Sequence, residues 1–203
     1  VAKRIARETP NSIYINQYFN ELNIDAHYLT TGPEIWEQTN GRVDGFVCAT
    51  GTAGSLAGIG RALKTRNPKV TIALADPAGS ALAHYVNTGE LKSEGGSISE
   101  GIGSSRVTAN FDGAPIDAAW SIPDGESVPW VHAMMAGEGL NLGGSSGVNI
   151  AGAIRLANAL GPGHTIVTLL CDPGTRYQAK LFNPVFLRSK GLPVPAWLER
   201  AFP

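Results

Sequence analysis

Little in this chain is specialised. Its 203 residues include two cysteines, Cys48 and Cys171, far apart and without a CxxC pair, which leaves no basis for a disulfide framework or a thiolate metal centre. Each thiol closes an apolar run, where a free cysteine serves as a small buried hydrophobe, and the usage suits a reducing, cytoplasmic compartment. Neither sign of charge is in excess: 16 Lys+Arg stand against 17 Asp+Glu, a formal net charge of -1. That balance offers no electrostatic footing for nucleic acid or an anionic membrane. The densest basic group, Lys64, Arg66 and Lys69, reads as a solvated helix end. No apolar run approaches the roughly 20 residues that cross a bilayer, and no charged start with an apolar core and cleavage site marks a signal peptide. His27, His84, His132 and His164 lack mutual metal-ligand spacing and have no accompanying Glu in a zincin pattern, so no metal is expected.

What is present is a globular composition, 43% hydrophobic, with strong local patterning. Three short continuous apolar runs read as strands buried on both faces: Val43 to Ala49, Val70 to Asp76 and Thr165 to Cys171. Helical patterns flank them near Pro33, from Ser55, from Val128, where Met134 and Met135 are expected in the core, and from Gly147. The opening "VAKRIARE" reads as the middle of a helix. Strand alternating with helix predicts an α/β fold, a mainly parallel sheet with flanking helices. Between Ala78 and Ile122 periodicity fades into Gly, Ser and Asn, a stretch too long for a plain connection and therefore a candidate functional loop. The tail "FNPVFLRSKGLPVPAWLERAFP" reads as a surface wrap rather than sheet. Phe186, Leu187 and Trp197 are its apolar anchors, either at a subunit interface or folded back on the core.

The most informative stretch is "VDGFVCATGTAGSLAGIGRALK", where a strand runs through small residues into a helix. Helix N-termini expose backbone N–H groups and a partial positive charge, and small residues let an anion approach them. Gly51, Ala53 and Gly54 supply that access, and Thr52 and Ser55 add hydroxyls. A phosphate fits this description, although the same residues also permit simple strand-to-helix packing. The Walker pattern is absent, and Gly51, Gly54 and Gly58 do not form the dinucleotide fingerprint. Asp76 is a weak match to a ribose-binding acid, and an ordinary nucleotide-binding domain therefore stands as a rival reading. Ser145 and Ser146 in "GGSSG" read as helix caps rather than a nucleophile elbow.

"GTAGS" (Gly51 to Ser55) resembles the GTGGT phosphate loop of the cysteine synthase and cystathionine β-synthase family, pyridoxal-phosphate (PLP) enzymes of the tryptophan synthase β-like fold, fold type II. In order along the chain, "TTGPEIWEQTNGRVD", "EGIG", "GLNLGGSSGVN" and "LLCDPGTRYQAKLFNPVFLRSKGLP" resemble further segments of the same family. The resemblance implies that Gly51, Thr52, Ala53, Gly54 and Ser55 cradle the cofactor phosphate. Ala53 stands where the family usually has Gly, which is tolerable if its φ is negative, and Ser55 stands where the family usually has Thr. The resemblance also places Asp172 beside the pyridine nitrogen, where a carboxylate would strengthen the ring as an electron sink; alternatively Asp172 turns the chain before Pro173 and faces away. Gly101 and Gly103 either approach the bound amino acid or are plain loop glycines.

The implied activity is β-replacement on a serine-derived amino acid, O-acetylserine plus sulfide giving cysteine. Cystathionine β-synthase or cysteine desulfhydrase chemistry, or a split or decayed PLP-binding module, stand as alternatives. The family is commonly dimeric. Its Schiff-base lysine and substrate-carboxylate loop precede the matched region. None of Lys3, Lys64, Lys69, Lys92, Lys180 and Lys190 lies in a comparable motif, so no catalytic residue is assigned and the chain reads as the C-terminal portion, with the N-terminal part missing. Residues 1–30 would then enter the large domain, 31–180 would form the large PLP-binding α/β domain, and 181–203 the tail.

Overall fold

The structure, a computed structural model, describes residues 1–201. Four strands, β1 (Gly45–Cys48), β2 (Thr71–Pro77), β3 (Ala118–Ile122) and β4 (Ile166–Thr168), form one sheet in the order β3-β2-β1-β4. Every pairing is parallel, with Phe46 opposite Ile72 and Val167, and Ala75 opposite Trp120. The central strands are buried on both faces, which is why their sequences are continuous rather than alternating.

The helices are α1 (Ala2–Glu8), α2 (Leu22–Leu29), α3 (Thr31–Gln38), α4 (Gly54–Arg66), α5 (Leu82–Thr88), α6 (Asp124–Glu138), α7 (Gly144–Leu160), α8 (Pro184–Ser189) and α9 (Ala196–Ala201). The period of two along the strands divides the core. Phe46, Cys48, Ile72 and Leu74 point to one face and pack with Leu56, Ile59 and Leu63 of α4 and with Leu82 of α5. Val47, Ala49, Ala73 and Ala75 point to the other and meet Val148, Ala151 and Leu156 of α7. This second layer lies close to the sheet because Gly152 carries no side chain: a Cβ there would come within 2.6 Å of the Ala75 methyl.

The expected α/β architecture is present, with three differences. The Gly/Ser-rich stretch holds α5 and the edge strand β3, whose five residues are too few and too unevenly buried to show a clear period. The third apolar run pairs only over Ile166–Thr168, because Asn149 Nδ2 donates to the Leu169 carbonyl (2.8 Å) and Ser146 Oγ accepts from Cys171 N (2.9 Å). Those bonds draw the chain off the sheet and leave Cys171 exposed, contrary to the buried role expected of it; Cys48 is buried, and both thiols are free. The tail contains α8 and α9 and folds back on its own chain: Leu181, Leu187 and Leu198 bury against Val128 and Val131 of α6, with Trp197 packed on the same cluster. Met135, expected in the core, lies on the exposed side of α6.

Candidate cofactor site

The glycine turn leaves the C-terminal end of β1 and enters α4. Asn149, fully buried on α7, fixes the approach by accepting from Ala49 N (2.6 Å) while its amide donates to Leu169 O. At the turn the N–H groups of Thr52, Ala53, Ser55 and Leu56 have no hydrogen-bond partner among the described residues; the first helical bond of α4 runs from Ala57 N to Ala53 O. These donors, at the mouth of a 13-residue helix, are the arrangement that holds a phosphate.

Ala53 has φ +69°, in the left-handed region, so the condition attached to this departure from glycine is not met. An alanine there costs about 1–2 kcal/mol relative to an ordinary conformation. Burial of its methyl among the α4-side core residues offsets part of that cost.

Two α2 side chains grip the turn from outside. Asn23 Nδ2 donates to Thr52 Oγ1 (3.0 Å), and His27 Nε2 lies 3.0 Å from Ser55 Oγ while its Nδ1 lies 3.0 Å from Thr31 Oγ1. Burial lowers the pKa of His27 and favours the neutral ring, which suits a bridge between two hydroxyls. Nothing in the residue pattern points to this role, because histidine spacing speaks only to metal ligation and α2 has little apolar periodicity.

The turn shares a wall with a cavity of about 340 Å³ lined by Gly101, Ile102, Ser145, Cys171, Asp172 and Tyr177, among others. Gly51 backs directly onto Gly101: a Cβ on Gly51 would stand 2.5 Å from the Gly101 carbonyl oxygen. Gly103 N donates to Thr50 O (2.7 Å), and both Gly101 and Gly103 have positive φ. The segment is held on its other side by Ser80, whose Oγ accepts from Ser104 N (2.8 Å) and donates to Ser104 O (3.0 Å). Gly101 thus lines the cavity, while Gly103 faces the Ser80 side. Asp76 is buried under α5, where Oδ2 accepts from Ala83 N (2.8 Å) and burial raises its pKa; a ribose-binding position is not available to it.

Asp172 reaches the cavity wall, but its carboxylate is turned elsewhere. Oδ2 accepts from Tyr177 Oη (2.8 Å), and Oδ1 is buried without a partner among the described residues, tucked against the backbone of Gly143. Desolvation and the hydrogen bond to Asp172 both raise the pKa of Tyr177. Ser145, in the first turn of α7, lines the same cavity, and its hydroxyl has no hydrogen-bond partner among the described residues; Ser146 Oγ is taken by Cys171 N. Lys180 pairs with Glu100 of the cavity wall, whose pKa it lowers, but no lysine is among the lining residues.

A parallel α/β sheet with an anion-binding turn and an adjoining small cavity at the C-terminal strand ends defines a cofactor- or nucleotide-dependent class of protein. Comparison with known proteins makes the choice. The family model for pyridoxal-phosphate dependent enzymes matches residues 1–172, and the chain belongs to that family. It is 44% identical to cysteine synthase 2 of Schizosaccharomyces pombe, over 92% of this chain and 51% of that protein. It is also 44% identical to cysteine synthase of Dictyostelium discoideum, over 90% of this chain and 51% of that one. Among solved structures, the O-acetylserine dependent cystathionine β-synthase from Helicobacter pylori superposes with a TM-score of 0.79 at 30% identity, covering 88% of this chain and 56% of that one. The chain spans about half the length of the curated relatives it matches.

The residues present fit the cofactor. The partnerless N–H groups at Thr52–Leu56 suit its phosphate, the Gly51–Gly101 contact leaves no side chain in the space between turn and cavity, and a free hydroxyl faces that cavity.

Proposed function

We propose that this chain is the cofactor-holding portion of a PLP-dependent β-replacement enzyme of the cysteine synthase kind, acting on O-acetylserine and sulfide. The observation that carries the cofactor part is the run of unpaired N–H groups at the mouth of α4, one glycine away from the cavity. The 44% identity to cysteine synthases supports the reaction. The Helicobacter pylori enzyme, a cystathionine β-synthase dependent on O-acetylserine, supports a second reading in which the acceptor is a larger thiol.

PLP, when bound, supplies an electron sink for cleavage at the amino acid's α- and β-carbons. The chain's own residues hold and orient it. The N–H groups of Thr52, Ala53, Ser55 and Leu56, with the Thr52 and Ser55 hydroxyls, hold the phosphate, and Gly51 and Gly54 keep the approach open. Asn23 and His27 fix those hydroxyls in place. Gly101 brings backbone to the cavity beside the bound amino acid, and Gly103 anchors that segment to Thr50. Ser145 is better suited to the ring nitrogen than Asp172, because its hydroxyl is free and faces the cavity whereas Asp172 is committed to Tyr177 and Gly143. Asp172 is then a positioning residue that braces the start of α7. The attacking lysine belongs to a part of the enzyme that these residues do not span.

The test is to add PLP, reduce with borohydride and map modified peptides by mass spectrometry. Reversible binding, seen by cofactor fluorescence, without a stoichiometric lysine adduct is expected. A stoichiometric adduct on one lysine, Lys180 at the cavity mouth above all, would overturn the proposed division of labour, and no PLP binding would overturn the site itself. Ser145→Ala should shift the absorbance maximum of bound PLP more than Asp172→Asn does.

A further inference from the structure

Helix α6 and the tail enclose a second cavity, of about 270 Å³, that shares no residue with the cofactor site. Pro129 and Ala133 belong to its α6 wall, and Val194, Pro195 and Trp197 of the tail to the facing one. Pro193 and Pro195 have no N–H to donate, and the tail passes this part of α6 without a hydrogen bond among the described residues, so the walls are apolar. One polar group interrupts them. His132 is only 4% exposed, and its ring is clamped edge-on by Phe182 and Trp197, with centroids 5.9 Å and 6.0 Å away. Nε2 lies 2.7 Å from the Leu181 carbonyl oxygen. A carbonyl only accepts, so Nε2 carries the proton and the neutral ring presents Nδ1 as an acceptor. Burial lowers the pKa of His132 and keeps the ring neutral near pH 7. Nδ1 has no hydrogen-bond partner among the described residues, yet it is not sealed from solvent, and the cavity is the opening that reaches this otherwise buried ring. An acceptor left unpaired in an apolar setting is costly, and a donor arriving through the cavity would relieve that cost.

We propose that this cavity binds a small neutral aromatic molecule carrying one O–H or N–H donor, with its rings between the prolines and Trp197 and its donor on His132 Nδ1. Volume, shape and charge together select that class. An apolar cavity of about 150 Å³ holds one benzene ring. The larger space here admits a fused pair of rings and little more, which is too small for a folded partner. The flat faces of Trp197 and the prolines suit a flat ring rather than a branched chain. No lining side chain carries a charge, so a carboxylate, a phosphate or an ammonium would lose its hydration without compensation. Apolar walls with one placed polar group are the usual makeup of a small-molecule site, in which the polar group fixes orientation. The site is separate from the PLP cradle and does not depend on it.

The experiment titrates the full chain with naphthol and, separately, with its methyl ether, by calorimetry near neutral pH. The two probes share a ring system, but the ether has no donor. Saturable 1:1 binding of naphthol is expected, at least about fivefold tighter than the ether, the net worth of one hydrogen bond. His132→Phe keeps a ring in place, removes the acceptor and should erase that preference. Ala133→Glu, at an exposed α6 position on the cavity wall, should abolish binding of both probes. Met135→Glu puts the same charge on α6 away from the cavity and should change nothing. Circular dichroism of each variant checks folding. No saturable binding, equal affinity of the two probes for the wild-type chain, or undiminished binding by Ala133→Glu would each overturn the proposal.

Discussion

Gly51→Ala tests the join between the phosphate turn and the cavity wall. The φ of Gly51 is not positive, so the backbone accepts alanine there and space alone decides the outcome. The new Cβ would stand 2.5 Å from the Gly101 carbonyl oxygen, and the obstacle is backbone rather than the end of a flexible side chain. An ordinary carbon–oxygen contact needs about 0.8 Å more. Opening that gap costs about 1–3 kcal/mol as overpacking. It also threatens the nearby bond from Gly103 N to Thr50 O, worth about 1 kcal/mol. A loss of about 2–3 kcal/mol corresponds to a fall of roughly 5–10 °C in Tm for a chain of this size. PLP affinity should drop at least tenfold because Gly51 and Gly101 separate. Gly137→Ala is the control: it lies within α6 with nothing within 4 Å of the added methyl, and should stabilise by roughly 0.5–1 kcal/mol. Thermal unfolding by circular dichroism and fluorescence titration with PLP read both quantities. A Gly51→Ala protein within about 0.5 kcal/mol of wild type by the first assay, below the range of overpacking costs, would refute the reasoning.

Other consequences are open to measurement. Asn149→Ala strips the partners from Ala49 N and Leu169 O in a buried position and should cost about 2–4 kcal/mol in denaturant unfolding. His27 and His132 both have pKa values lowered by burial, so the stability they provide is complete above their ordinary value near 6.5 and is lost as pH falls toward their folded values. Asp76, raised by burial, acts in the opposite direction, and comparing wild type with His132→Phe between pH 7.5 and 5.5 separates the contributions: the variant should lose less Tm on acidification. Ser55→Ala removes the hydroxyl shared with His27 and should weaken PLP binding several-fold in the fluorescence titration, with little change in Tm.

The central strands were legible because burial on both faces leaves a continuous apolar run, and the small-residue turn between β1 and α4 was legible because few residue types permit its backbone. The edge strand β3 and helix α2 were not, since each is short and owes its place to distant partners: β2 for one, the phosphate turn for the other. Ala53 was legible as an anomaly but not in its consequence, because whether the chain adopts positive φ is decided by how α4 packs. Asp172 shows the limit most clearly. Its position in the chain was readable, but the direction of its carboxylate depends on Tyr177 and Gly143, which only the folded chain brings to it.

The pairing of β1 with β4 has a consequence in time. Thr168 Oγ1 reaches Val47 O across 121 positions of sequence, whereas β1 and β2 join through a single helix. Closing so long a loop carries an entropic cost of about 4 kcal/mol that no local contact offsets. The β1–β2–β3 portion is thus expected to form early and the seam with β4 late. Since the turn follows β1 and Ser145, Cys171 and Asp172 lie near β4, the proposed site would have its phosphate donors in place, in a chain still emerging during synthesis, well before it has a pocket for the ring. Cofactor capture is then a late folding event, and PLP should accelerate only the last step of refolding.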